Sequence, residues 1–149
     1  MKTAVKLVAM GIVLAVQLCG CSFLNDYKDD GRLFLDGLEN PVTVLRDERG
    51  MAYIKASSRG DALMGQGFVS AQDRLFQMEL NRRFAAGRIS EFAGKKALAR
   101  DIRMRTLGLY RAAEKHAQLL DASTRSFFQR YADGVNGYIR TRKKTFALR

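Results

Sequence analysis

The feature that most constrains this chain is an absence: after Pro41 no proline occurs through Arg149. Proline breaks a helix by removing a donor and clashing with the preceding turn, so a long proline-free stretch leaves glycine as its main punctuation. From Arg59 onward the chain reads as helix, with glycines where stops belong. The spacing predicts a first helix over about Arg59 to Ala86, closing at Gly87, and a short one over about Ile89 to Ala93, closing at Gly94. A third is expected from roughly Ala97 to Leu120. A fourth starts after Asp121, whose side chain can cap it, and continues to about Arg142.

Upstream, Pro41 to Ala56 alternates on period two through Val42 and Val44, then through Ala52, Ile54 and Ala56, around the turn Asp47-Glu48-Arg49-Gly50. A four-residue connection ending in glycine predicts a β-hairpin. With 47% hydrophobic residues the chain has room for one compact domain with a modest core. The expected fold class is mainly α with a short N-terminal β-hairpin.

The first helix carries charge inside its apolar face. With Phe68 set at zero and about 100° per residue, Met64, Ala71, Leu75, Phe76, Val69 and Leu80 form one broad arc. Gln72, Glu79 and Arg83 fall within that arc, at roughly 40°, 20° and 60°. Glu79 and Arg83 are four apart with the acid first, the favourable order for an ion pair. Burial of such a line requires that its members satisfy one another; on a half-buried helix the same line borders a solvated groove. Gln66, Ser70, Gln77 and Asn81 give another face that is polar but uncharged, with Arg74 the exception, and suited to contact with protein rather than open water. Gly65 and Gly67 weaken the helix, as do the glycines of Tyr131-Ala132-Asp133-Gly134-Val135-Asn136-Gly137-Tyr138, and close approach of another backbone is the usual return.

The N-terminus has a different character. Lys2 and Lys6 precede an uncharged, mostly apolar run from Leu7 to Gly20, the pattern of a secretory signal. The run ends in Leu18-Cys19-Gly20-Cys21, which resembles the lipobox of bacterial lipoproteins and implies lipidation of Cys21. Residues 1–20 are then the signal peptide and 21–37 a lipid-linked tether, leaving 38–149 for the fold. On that reading the chain sits at the cell envelope, facing the periplasm from the inner or outer membrane. Cys19 departs with the signal, so the mature chain has no internal disulfide and no cysteine-based metal site. The formal net charge of +11 is scattered except at Arg140 to Lys144, a solvated or partner-facing surface rather than a nucleic-acid site.

Gly67-Phe68, Ala71-Gln72-Asp73-Arg74-Leu75-Phe76-Gln77-Met78, Arg82-Arg83, Gly87, Glu91 and Gly94, followed by Tyr131 to Asn136, resemble the α-chain signature of the penicillin amidase family. The likeness runs from about Leu38 to Ile139. It departs at Met51-Ala52-Tyr53-Ile54, where the family usually has Val-Pro-His-Ile. The resemblance implies an α-chain fragment of an αββα N-terminal nucleophile hydrolase. In such enzymes the new N-terminal serine of the β chain attacks a linear amide, as in the acyl side chains of β-lactams or acyl-homoserine lactones, with its own α-amino group as base. No catalytic residue of that kind is expected here. The serines at 57, 58, 70, 90, 123 and 126 have no histidine partner, His116 lies in a charged helix, and no Ser-Asn-x-Trp start exists without tryptophan. The chain stops before the region that, by family analogy, lines the acyl pocket and donates a calcium ligand, so no cofactor or metal is expected in it, and alone it is expected to be inactive. Gln72, Asp73, Arg74, Glu79 and Arg83 are expected to brace the β chain of the same precursor. The other reading is a free-standing envelope binding or scaffold module derived from the α chain.

Overall fold

The computed structural model describes residues 31–147, with side chains as far as Arg142. The signal segment, Cys21 and residues 22–30 of the tether lie outside the described residues. The chain divides into two units, Met1–Phe34 and Leu35–Arg149. Of the first, residues 31–34 are described and carry no regular secondary structure.

The second unit is mainly helical with a short hairpin, the expected class. Strands β1 (Thr43–Arg46) and β2 (Ala52–Lys55) pair antiparallel, with Val44 opposite Ile54 and Leu45 opposite Tyr53. The connection, Asp47 to Met51, is one residue longer than the spacing suggested. Asp47 organises it: its N–H donates to the Met51 carbonyl, and its Oδ1 accepts the N–H groups of Arg49 and Met51. Gly50 takes the left-handed conformation there, at φ 77°.

Helix α1 (Arg59–Ala86) starts at Ser58, whose Oγ accepts the Asp61 N–H, and ends at left-handed Gly87, the predicted bounds. Helix α2 (Ser90–Ala93) leads through a 3₁₀ turn (Gly94–Ala97) into α3 (Leu98–Leu107). Helix α4 (Leu109–Leu119) and α5 (Ala122–Ala147) complete the chain, and the Asp121 carboxylate caps α5 by accepting the Thr124 N–H at 2.9 Å.

Two expectations are corrected. The single third helix is two, because Gly108 adopts φ 73° and its N–H closes α3 on the Met104 carbonyl; left-handed glycine is a helix stop, and the sequence reading treated this one as interior. Helix α1 is not one straight rod either: Arg74, at φ −141° and ψ 26°, interrupts it. A wheel drawn with constant phase does not carry across that residue. Met64, Val69 and Ala71 before the break are buried, whereas Phe76 beyond it is 75% exposed.

The packing centre is the crossing of α1 and α5. A Cβ at Gly67 would overlap the Tyr131 carbonyl, and one at Gly134 would overlap the Met64 carbonyl. The two backbones therefore approach through paired glycines, as the weakened helices suggested. Phe68 meets Tyr138 edge to face, with centroids 5.5 Å apart. The buried hydrophobic set among the described residues is small: Met64, Val69, Ala71, Ile89 and Met104. Large apolar side chains such as Ile102, Leu107, Leu119 and Phe128 remain more than half exposed.

Candidate functional site

The polar residues singled out from the sequence lie in two groups on either side of the α1 break, not in one line. In the first, Arg46 reaches from the end of β1 to α1. Its guanidinium donates to both Asp73 carboxylate oxygens, at 2.7 and 3.1 Å, to Gln72 Oε1 at 3.1 Å and to the Gly50 carbonyl at 2.8 Å. The fork-to-carboxylate geometry is the strong form of this pair. Arg74 donates to Gln77 Oε1 at 3.2 Å. An open hollow lies beside the break, edged by Arg46, Gln72, Arg74, Phe76, Tyr138 and Arg142.

The second group begins at Glu79. The expected Glu79–Arg83 pair forms at 2.6 Å, and Arg82 adds a two-point contact at 2.8 and 2.9 Å. These bonds, Arg82 first, hold the Glu79 carboxyl down at about 2. Arg83 also donates to Glu91 of α2 at 2.6 Å, and Glu91 accepts from Arg88 as well. Hydrogen bonding from Arg88 keeps the Glu91 carboxyl below its ordinary range. The Glu79 and Arg83 side chains are 39% and 26% exposed, neither sealed in a core nor free in water. Such half-open lattices add little to the stability of a lone chain.

Sequence reasoning missed two fully buried aspartates. Asp61, in the first turn of α1, accepts the N–H groups of Glu39 at 3.0 Å and Asn40 at 3.1 Å. The Glu39 N–H contributes most to lowering its pKa, against the cost of burial. Arg130 of α5 stands 3.8 Å from Asp61 and binds the Gly37 carbonyl and the Glu39 carboxylate at 2.6 Å each. Asp101 of α3 accepts the N–H groups of Ile89 at 2.9 Å and Ser90 at 2.7 Å, which caps α2. Burial pushes the Asp101 carboxyl up, but hydrogen bonds from Ser90 and Ile89 outweigh it and the net shift is downward. Ser58-x-x-Asp61 is a capping-box spacing, and that was the available signal for Asp61. Asp101 had none, since its partners lie eleven and twelve residues away.

His116 is exposed in the last turn of α4, Ser58 serves as a cap, and the Ser90 N–H is taken by Asp101. Among the described residues no three His, Cys, Asp or Glu side chains converge as metal ligands. Also among the described residues, no helix is long and apolar enough to cross a membrane.

Comparison with known proteins adds an independent line. The penicillin amidase family model matches residues 41–148. The chain is 44% identical over 109 residues to the penicillin acylase 2 proenzyme of Pseudomonas sp. (strain SE83), an alignment covering 73% of this chain and 14% of that protein. It is 39% identical over 138 residues to the acyl-homoserine lactone acylase QuiP of Pseudomonas aeruginosa, covering 88% of this chain and 16% of the relative. Its fold is similar to a thermostable penicillin G acylase from Alcaligenes faecalis, at TM-score 0.64 and 29% identity, over 73% of this chain and 58% of that one. The chain therefore spans about a seventh of the length of the curated relatives it matches.

Proposed function

From the premise that this chain belongs to the penicillin amidase family, we propose that it is the front portion of the α chain of a linear-amide hydrolase. In this reading it supplies scaffold and the reacting groups are supplied by a β chain from the same precursor. The substrates are amides with a hydrolysable acyl group, such as the side chains of β-lactams or acyl-homoserine lactones. The carrying observation is the family match over residues 41–148, together with a helical unit that leaves Phe76, Phe92, Ile102, Leu107 and Leu119 more than half exposed. Apolar surface of that extent favours association, because burial contributes roughly 25 cal/mol per Å².

Within this reading Gln72, Asp73, Arg74, Glu79 and Arg83 brace the β chain. Their partial exposure supports that role, since their carboxylates are neutralised within this chain and their outward edges stay open to a partner. Cys21 carries the lipid and holds the assembly at the envelope membrane. The test reads the coding sequence downstream of codon 149. A continuing frame with a Ser-Asn start, whose product co-expressed with this chain releases the acyl group from penicillin G or an acyl-homoserine lactone while this chain alone releases none, supports the proposal. A stop with no neighbouring β-like gene overturns it.

A further inference from the structure

Helix α1 bends at Arg74, with no proline or glycine within six residues on either side. Sharp breaks in helices almost always occur at proline, at small flexible residues, at an inserted π-turn or where another group intrudes on the ladder. The sequence around the break is Ala71-Gln72-Asp73-Arg74-Leu75, without proline or glycine, and the nearest glycine upstream is Gly67. Alanine, glutamine, arginine and leucine are good helix formers, and only Asp73 disfavours a helix interior, by well under about 1 kcal/mol. That is too little to break a helix by itself, and the fold supplies a further cause.

One side chain from outside the helix grips the two residues immediately before the break. Arg46 approaches from β1, twenty-seven positions earlier in the chain than Asp73, and binds both Asp73 oxygens and Gln72 Oε1 at 2.7 to 3.1 Å. Its own position is fixed twice: its backbone pairs with Ala52 across the hairpin, and its guanidinium holds the Gly50 carbonyl at 2.8 Å. Arg46 is half-buried with 25% side-chain exposure, so the fork is oriented by its surroundings before it meets the carboxylate. The hairpin in turn rests on the first half of α1, where the Val42 and Ile54 side chains lie 3.0 and 3.2 Å from the Cβ position of Gly65. The hairpin therefore holds the helix at two points, one near Gly65 and one at Gln72-Asp73, with the break directly after the second.

We infer that the Arg46 fork on Asp73 and Gln72 imposes the break at Arg74, making Arg46 and Asp73 the positioning pair for the second half of α1. Residues 75–86 carry Phe76, Glu79, Arg82, Arg83 and Phe84, and their direction relative to the hairpin is set by this clamp.

The test is residue-resolved ¹³Cα and ¹³Cβ chemical shifts of the full chain, which report helix or its interruption at each position. The parent chain shows helical shifts before Gln72 and after Leu75 and a loss of helical shift at Arg74. Arg46→Ala restores helical shifts through Arg74, and Arg46→Lys, which keeps the charge without the fork, does so at least in part. Asp73→Asn, which leaves the hairpin untouched, decides the matter should Arg46→Ala disturb β1; helical shifts through Arg74 in that variant support the clamp. A break that persists at Arg74 in Asp73→Asn, or in a folded Arg46→Ala, overturns the inference. So does a parent chain whose helical shifts are continuous from 59 to 86.

Discussion

The glycine crossing of α1 and α5 makes a quantitative prediction for Gly134→Ala. The new methyl would overlap the Met64 carbonyl oxygen and lie 2.8 Å from the Phe68 nitrogen and 2.9 Å from the Met64 carbonyl carbon. Comfortable contacts between such atoms are about 3.5 Å, so the helix axes must separate by roughly 1 Å. All three obstructing atoms are backbone, and no side chain can rotate away. Overpacking costs about 1–3 kcal/mol, and rigid backbone neighbours place this case at the upper end. Alanine returns about 1 kcal/mol of helix propensity, which leaves a net loss of about 2 kcal/mol. The assay is a urea titration followed by far-ultraviolet circular dichroism and by tyrosine fluorescence; the chain has no tryptophan, and Tyr131 and Tyr138 both lie beside the crossing. With a denaturant slope of about 1 kcal/mol/M, the low end expected of a unit that buries little apolar surface, the midpoint should fall by about 2 M. Gly67→Ala should shift it the same way, and the double variant by less than the sum, because the first methyl has already parted the helices. Ser126→Ala, on an exposed position of α5, should change little. A Gly134→Ala midpoint equal to or above the parent's would refute the close-approach reasoning.

Other outcomes follow from the buried and paired carboxylates. Asp61→Asn turns one of two acceptors into a donor facing a backbone N–H, so amide exchange at Glu39 and Asn40 should accelerate by about tenfold or more while α5 remains protected; unchanged exchange would show that Asp61 does not hold that segment. Glu79 has a folded pKa of about 2 against an ordinary 4.5, so its contribution is complete above about 4.5 and fades as pH falls toward 2. Glu79→Gln should therefore be less stable than the parent at pH 7 and match it near pH 2, and a difference independent of pH would contradict the pairing.

How much was legible depended on the range of the interaction. Helix starts and stops that rest on neighbours, such as Gly87, Gly94 and Asp121, were readable, as was the hairpin around Asp47 to Gly50. The glycine crossing was readable in outline, because paired glycines in helices signal a close neighbour without saying which. The Arg74 break was hidden, since no proline or glycine marks it and Arg46 lies in another element. That single omission rotated the second half of the wheel and merged two polar groups into one line. Gly108 was visible as a glycine, but choosing between interior and stop required its φ of 73°. The family signature was legible throughout, and the match over residues 41–148 agrees with it.

The described helical unit buries few apolar side chains, and scanning calorimetry of the chain by itself tests most directly the proposal that a partner covers it. An ordinary globular domain unfolds with about 0.7 kcal/mol of enthalpy and 12–15 cal/mol/K of heat capacity per residue. This chain should show a broadened transition of low enthalpy, with a heat-capacity step below about half that value. A sharp two-state peak with full per-residue enthalpy and heat capacity would contradict the need for a covering partner.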